Sequence, residues 1–118
     1  MEAERTPHVH EAVLQLQPDT DPRAVGATVT VELCGAVDHE GPCLWPNNHD
    51  IDLAQGRSEA VFRTLFVAPE ADVDAIHGRI SSALHSASGW SVVSERRREL
   101  TRDEELGAVK LARTPRRA

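Results

Sequence analysis

The sequence is poor in aromatic residues, which make up 3% of the chain and include no tyrosine. Phe62, Phe66, Trp45 and Trp90 are the full set, so the core must rest mainly on Val, Leu, Ile and Ala. No apolar run approaches the roughly 20 residues that a membrane-spanning helix needs, and the N-terminus carries no apolar signal segment. We therefore expect a cytoplasmic protein with no membrane partner.

Basic residues are fewer than acidic ones, so the formal net charge at neutral pH is −6. Nucleic-acid binding begins with a basic surface that neutralises phosphates, so the charge argues against a nucleic-acid partner. Two short basic runs depart from this average. The run 96–98 lies between Glu95 and Glu99 and is typical of a solvated strand face, whereas residues 113–118 are typical of a disordered tail.

The length of 118 residues suits one domain. We predict a single α+β domain over residues 1–112, followed by the basic disordered tail over 113–118. Common catalytic fingerprints are missing, since the sequence contains no P-loop, no G-x-G-x-x-G, no G-x-S-x-G and no H-E-x-x-H.

Cysteine is scarce, and both cysteines fall in one stretch with the spacing C-x4-H-x3-C-x5-H. Thiolates and imidazoles are the side chains that bind zinc. We predict four metal ligands, with zinc as the possible cofactor: Cys34, His39, Cys43 and His49. Four protein ligands would leave no open position for water, so the ion would be structural and would order the loop around it.

This spacing lacks the close ligand pairs of zinc fingers, so three other interpretations stay open. The cysteines could be buried and inert, with His39 and His49 as surface residues. Cys34 and Cys43 could form a disulfide, which a reducing compartment disfavours. Cys43 could also be a catalytic nucleophile with His39 or His49 as its base.

Hydrophobic periodicity predicts two strands in the first third of the chain. Residues 8–17 alternate, with His8 and His10 on the same face as Leu14. Residues 26–34 also alternate and are rich in β-branched side chains, which favours a second strand. Residues 35–56 contain many turn formers and are predicted as a long loop, of the kind that is usually functional or mobile.

The second half of the chain predicts a strand over 57–67, a helix that opens at Pro69 and a strand over 90–100. A short helix over 102–112 is predicted to follow, with a fifth strand as the alternative because Val109 and Leu111 alternate. The long helix carries an apolar stripe at three- and four-residue spacing: Val73, Ile76, Ile80 and Leu84. Thr101 and Glu104 form a capping box that predicts the start of the last helix. His77 borders the stripe and His85 lies in the last turn, so structural roles are expected for both.

The element order β-β-loop-β-α-β predicts an α+β fold with a mainly antiparallel four-stranded sheet, one long amphipathic helix and a short C-terminal helix. Such a sheet resembles ferredoxin-like and other dimeric α+β modules, a topology that hosts many functions. Small domains rarely expose an apolar patch of this kind, so another element must pack on the sheet face with Val9, Val13, Val61 and Leu65. Either the terminal helix or a second copy would supply this element, and we expect a homodimer.

These observations predict a small binding protein whose Cys/His loop, residues 34–52, forms a metal-stabilised surface or binds a small-molecule ligand. One alternative is an enzyme or enzyme accessory subunit that uses Cys43 with His39 or His49. Another alternative is a protein-interaction module that dimerises through its sheet.

Overall fold

The computed structural model describes residues 4–34, 45–53 and 59–113. The elements, in chain order, are β1 (Arg5–Leu16), α1 (Arg23–Cys34), β2 (Asn47–Leu53), β3 (Glu59–Pro69), α2 (Glu70–Ser86), β4 (Trp90–Arg98) and α3 (Arg102–Ala112). The strands form one antiparallel sheet in the order β2-β3-β1-β4. The predicted α+β class with a four-stranded antiparallel sheet is therefore confirmed.

The connections follow the split β-α-β topology. Each of the first two helices joins two parallel strands, and a third strand lies between those two. β3 lies between β1 and β2, and β1 lies between β3 and β4. Both crossover helices, α1 and α2, pack on the same sheet face, which we call the inner face. This is the ferredoxin-like arrangement. None of the described helices is long and apolar enough to cross a membrane.

The prediction of a strand over 26–34 is wrong, because these residues belong to α1. Val25, Val29 and Leu33 recur every four residues and are 0–2% exposed, facing α2 and the sheet. Val31, which a strand would place on the same face as Val29 and Leu33, is 46% exposed. Period-two and period-four patterns coexist in this segment, and the four-residue spacing matches the structure.

The free energy gained by burying these side chains outweighs the low helix propensity of the segment. Burying three aliphatic side chains contributes about 1.5–3 kcal/mol each. The helix propensity of β-branched residues lies at most about 0.7 kcal/mol below that of alanine. Asp21 helps to start the helix, because its Oδ1 accepts a hydrogen bond of 2.9 Å from the backbone N–H of Arg23.

The prediction of an unbroken loop over 35–56 is wrong for residues 47–53, which form β2. This segment is polar and rich in Asn and Asp, so its intrinsic strand propensity is low. It pairs along its whole length with β3, with register partners from Asn47–Phe66 to Leu53–Ala60. Its exposed, charged character suits an edge strand, which its place in the strand order confirms.

The two predicted helices of the second half are confirmed. In α2 the predicted stripe is buried at 0–5% exposure against the sheet and α1: Val73, Ile76, Ile80 and Leu84. The indole N–H of Trp90 donates to the Leu84 carbonyl at 3.0 Å and closes the end of this helix. In α3 the capping box is present, with Thr101 Oγ1 accepting from the Glu104 N–H at 3.3 Å.

The opposite, outer sheet face carries a smaller core under α3. Val9, Leu65 and Val67 pack there against the helix. The expectation that the terminal helix covers this face is therefore confirmed for one half of it. Val13 and Val61, on the other half, are only partly buried. A homodimer through this face stays a prediction.

An ionic cluster lies beside the outer core. The Glu11 carboxylate is 8% exposed and accepts from Nε of Arg63, Arg96 and Arg98 at 3.3, 2.8 and 2.7 Å. Burial alone would raise the pKa of Glu11, but hydrogen bonds from Arg98 and Arg96 bring it below its usual value. Arg98 also forms a double hydrogen bond with Glu104, which ties β4 to α3. A solvated face therefore describes Arg96 but not the half-buried Arg98.

The seam between α1 and β2 gives a test of the helix that replaces the expected strand. A Cβ atom added at Gly26 would collide with the His49 ring, which lies 5.7 Å from the Phe62 ring centre. We predict that Gly26→Ala lowers the free energy of unfolding by about 1–2 kcal/mol, because the ring must move off its packing site.

In a His49→Ala background the same substitution should instead stabilise by about 0.5–1 kcal/mol, the helix propensity of alanine over glycine. Urea unfolding of the parent, the two single variants and the double variant measures this change of sign. An effect of equal sign and size in both backgrounds would contradict the packing described here.

Candidate functional site

Two of the four predicted metal ligands lie within the described residues, and both lie at the α1–β2 seam. Cys34 ends α1, is 7% exposed and is disulfide-bonded. His49 lies in β2, with Nε2 3.2 Å from Thr30 Oγ1. His39 and Cys43 lie outside the described residues.

A sulfur in a disulfide carries no thiolate, so Cys34 could bind zinc only after reduction. Across the part of the chain that the structure describes, no three His, Cys, Asp or Glu side chains form a group that could hold a metal ion. The four-ligand zinc site and the Cys43 nucleophile stay predictions.

A row of polar side chains crosses the inner face of the sheet, where apolar residues are expected. His49, Thr64, His10 and Arg97 occupy neighbouring positions on β2, β3, β1 and β4. Thr64 is 0% exposed, and its hydroxyl has no hydrogen-bond partner among the described residues. His10 is 5% exposed. Buried polar groups are informative because burial costs free energy unless they are paired.

His10 is paired at both ring nitrogens. Its Nε2 lies 2.5 Å from Glu95 Oε2 on β4, and its Nδ1 lies 2.9 Å from Nδ1 of His77 on α2. His77 is itself 4% exposed. We call Glu95, His10 and His77 the triad. It joins two adjacent strands and the long helix through two hydrogen bonds.

The hydrogen bonds limit the protonation of the triad. An ionised Glu95 can only accept, so His10 Nε2 carries a proton and donates it. If His10 is neutral, its Nδ1 is then an acceptor, and His77 Nδ1 must be the donor. His77 Nε2 is left with a lone pair, and it has no hydrogen-bond partner among the described residues.

Glu95 is held by groups from α2 as well. Ser81 Oγ donates to Glu95 Oε1 at 2.9 Å, and His85 Nδ1 lies 3.3 Å from the same oxygen. Ser81 and His85 are one turn apart on α2, so both can reach this carboxylate. The Glu95 side chain is 17% exposed. These contacts fix the orientation of the carboxylate toward His10.

His8 also lies next to the triad. The His8 ring is stacked on Phe66 with centroids 5.5 Å apart, and it meets the His77 ring edge-on at 6.4 Å. Thr6 Oγ1 lies 2.7 Å from His8 Nε2. Burial lowers the pKa of His8 despite the opposing charge of Glu70.

Arg97 provides the positive charge of the site. Strand alternation turns its side chain toward the inner face, away from Arg96 and Arg98, and its Nη1 lies 2.6 Å from Asp74 Oδ1 on α2. Burial first, and then the charge of Arg97, lower the pKa of His77 to about 4. His77 is therefore neutral at physiological pH.

The triad and Arg97 line a groove of about 320 Å³ between α2 and the edge strand β4, which we call the α2–β4 groove. Its lining residues are His10, Asp74, His77, Gly78, Ser81, Glu95, Arg96 and Arg97. A Cβ atom at Gly78 would meet no atom within 4 Å, so this helix position leaves open space. The groove brings two guanidiniums, two imidazoles and two carboxylates within reach of a small molecule.

Local sequence patterns indicate this site only in part. The alternation of β1 correctly placed His8 and His10 on the inner face with Leu14. The position of His77 beside the apolar stripe predicts a structural role, and nothing in the local sequence connects it to Glu95. The partner strand and its register bring these residues together, and a single sequence does not specify that register.

Comparison with protein-family models, with curated proteins and with solved structures finds no match for this chain.

The buried, neutral His77 predicts a dependence of stability on pH. An unfolded histidine binds a proton near its ordinary value of 6.5, whereas folded His77 does so only near 4. The unfolded state therefore binds more protons as the pH falls through this window, and the folded state loses about 3 kcal/mol between the two values.

The measurement is the difference in unfolding free energy between the parent and His77→Gln across this pH range. The variant should lose the dependence that belongs to His77, whereas His85→Gln, which alters an exposed histidine, should keep it. Parallel curves for the parent and His77→Gln would show that His77 is not neutralised by folding.

Proposed function

We propose that the protein binds a small organic anion, a carboxylate, in the α2–β4 groove. The observation that supports this most directly is that the guanidinium of Arg97 and the buried imidazole of His77 line the same groove. Arg97 supplies the charge and the paired donors that suit a carboxylate. The neutral ring of His77 supplies a second polar group for orientation.

Asp74 indicates how an anion would sit in this groove. Its carboxylate already lies against Arg97, yet its side chain is 88% exposed and that of Arg97 is 55% exposed. Ion pairs between exposed groups contribute only about 0–1 kcal/mol. A ligand carboxylate that also fills the groove can therefore replace Asp74 at low cost.

The size of the groove limits the ligand. A volume of about 320 Å³ lies at the lower end of the range for small-molecule sites, roughly 300–1,000 Å³. The ligand would then be an organic acid of about the size of benzoate.

Benzoate and its neutral isostere benzamide are suitable probes for the charge requirement. We predict that benzoate shifts the backbone amide NMR resonances of residues 77–81 and 95–97, and that benzamide binds at least about tenfold more weakly because it lacks the charge-assisted contact. Arg97→Gln should remove the preference for benzoate.

Arg79→Gln is the matched control, because Arg79 lies on the same helix but over the Trp45 ring, outside the groove. Asp74→Asn should strengthen benzoate binding, since it removes a competing carboxylate. Equal affinity for the two probes, or unchanged benzoate binding in Arg97→Gln, would refute an anion site here.

Gly78 allows a steric test that leaves every charge in place. We predict that Gly78→Leu abolishes benzoate binding, because its side chain extends into the open space of the groove. Gly78→Ala, the matched control, should keep binding and raise the free energy of unfolding by about 0.5–1 kcal/mol through helix propensity. NMR titration and urea unfolding measure the two effects. Retained binding in a folded Gly78→Leu would place the ligand elsewhere.

A further inference from the structure

We propose that the triad makes the α2–β4 groove catalytic, with His77 Nε2 as a general base that removes a proton from carbon beside a carbonyl group. This inference rests on the proposed carboxylate site and extends it to an activity. The substrate class is a small oxo acid, whose carboxylate Arg97 would hold while its acidic C–H faces His77. The reaction class is enolisation, a proton shift that needs no further reactant.

The geometry of the triad supports proton transfer over a distance. A proton accepted at His77 Nε2 allows the Nδ1 proton of the same ring to pass across 2.9 Å to His10 Nδ1. His10 then carries the positive charge, and its Nε2–H remains 2.5 Å from Glu95 Oε2. The charge thus forms beside a carboxylate that Ser81 already orients.

The relay compensates for the low pKa of His77. An isolated imidazole of low pKa is a weak base, because general bases work best when their pKa lies near the operating pH. In the triad, however, the added charge settles on His10, next to an anion and farther from the groove. The basicity of the site is therefore a property of the three residues together.

Arg97 would couple binding to reactivity. Its charge opposes protonation of both His8 and His77. A substrate carboxylate that binds Arg97 offsets that charge, so His77 becomes a stronger base when the groove is filled. The Asp74 carboxylate also favours protonation of His77, but Asp74 is exposed and a ligand can displace it.

The step balances without an oxidant or a metal. The C–H proton moves to His77 Nε2, its electron pair forms a carbon–carbon double bond, and the carbonyl π electrons move to oxygen to give an enolate. Reprotonation at carbon by His77 reverses the step. In heavy water, exchange at the imidazole returns a deuteron, so turnover replaces hydrogen on the substrate by deuterium.

Pyruvate in heavy water is the probe, because loss of its methyl proton signal reports enolisation directly by NMR. We expect the protein to speed this exchange above the buffer rate. His77→Ala should lower the protein-dependent rate by about 10²–10⁴-fold, the usual contribution of a general base. Arg79→Gln, which alters a residue of α2 outside the groove, should keep the full rate.

His10→Phe and Glu95→Gln test the positioning residues and should lower the rate without preventing pyruvate binding, as followed by amide shifts. Added imidazole should partly restore exchange in His77→Ala, a rescue that a merely structural histidine would not give. Binding of pyruvate without any protein-dependent exchange would overturn this inference and leave the carboxylate site intact. Absence of binding by both pyruvate and benzoate would overturn both.

Discussion

The hydrogen bond between His10 and His77 is the contact on which the arrangement of the inner face depends. Both rings are almost fully buried, and an unpaired buried polar group costs about 1–3 kcal/mol. Each ring satisfies the other only if α2 crosses β1 at this position. Glu95 and Ser81 add a second attachment of the same helix to the neighbouring strand. The apolar stripe of α2 supplies the burial, and these polar contacts fix where along the sheet that burial occurs.

Strand alternation separates the charges of β4 into two environments. Arg97 lies on the inner face and pairs with Asp74, whereas Arg96 and Arg98 donate to Glu11 on the outer side, and Arg96 also borders the groove. Glu11 is nearly buried and accepts hydrogen bonds from three arginines, so its charge is compensated within the fold. The run of three arginines therefore serves one sheet face with its middle member and the opposite face with the other two.

Much of the fold could be predicted from local patterns, because those patterns have direct physical causes. The stripe of α2 and the capping box of α3 depend on residues within a few positions of one another. α1 could not be assigned by periodicity alone, since Val29 and Leu33 fit a strand and a helix equally well. β2 could not be recognised because pairing with β3, rather than its own Asn- and Asp-rich sequence, makes it a strand.

The candidate site was harder to predict for a related reason. The Cys/His segment attracts attention because its reactive residues are close in sequence, whereas the members of the triad are separated by 67 and 85 positions. Proximity in sequence is a poor guide to proximity in space when a sheet brings distant strands together. The useful signal was physical rather than local: His10 lies on a strand face whose other members, such as Leu14, are apolar.

The two polar clusters of the sheet differ in whether every polar group has a partner within the fold. In the outer cluster Glu11 is surrounded by donors, and Arg98 is shared between two carboxylates, so each polar group is engaged with another part of the fold. The triad instead ends at a ring nitrogen that has no partner among the described residues and whose ring lines a groove. A network that is closed on itself contributes stability. A network that ends in a groove-lining histidine with one unpaired ring nitrogen is the feature on which the proposed chemistry rests.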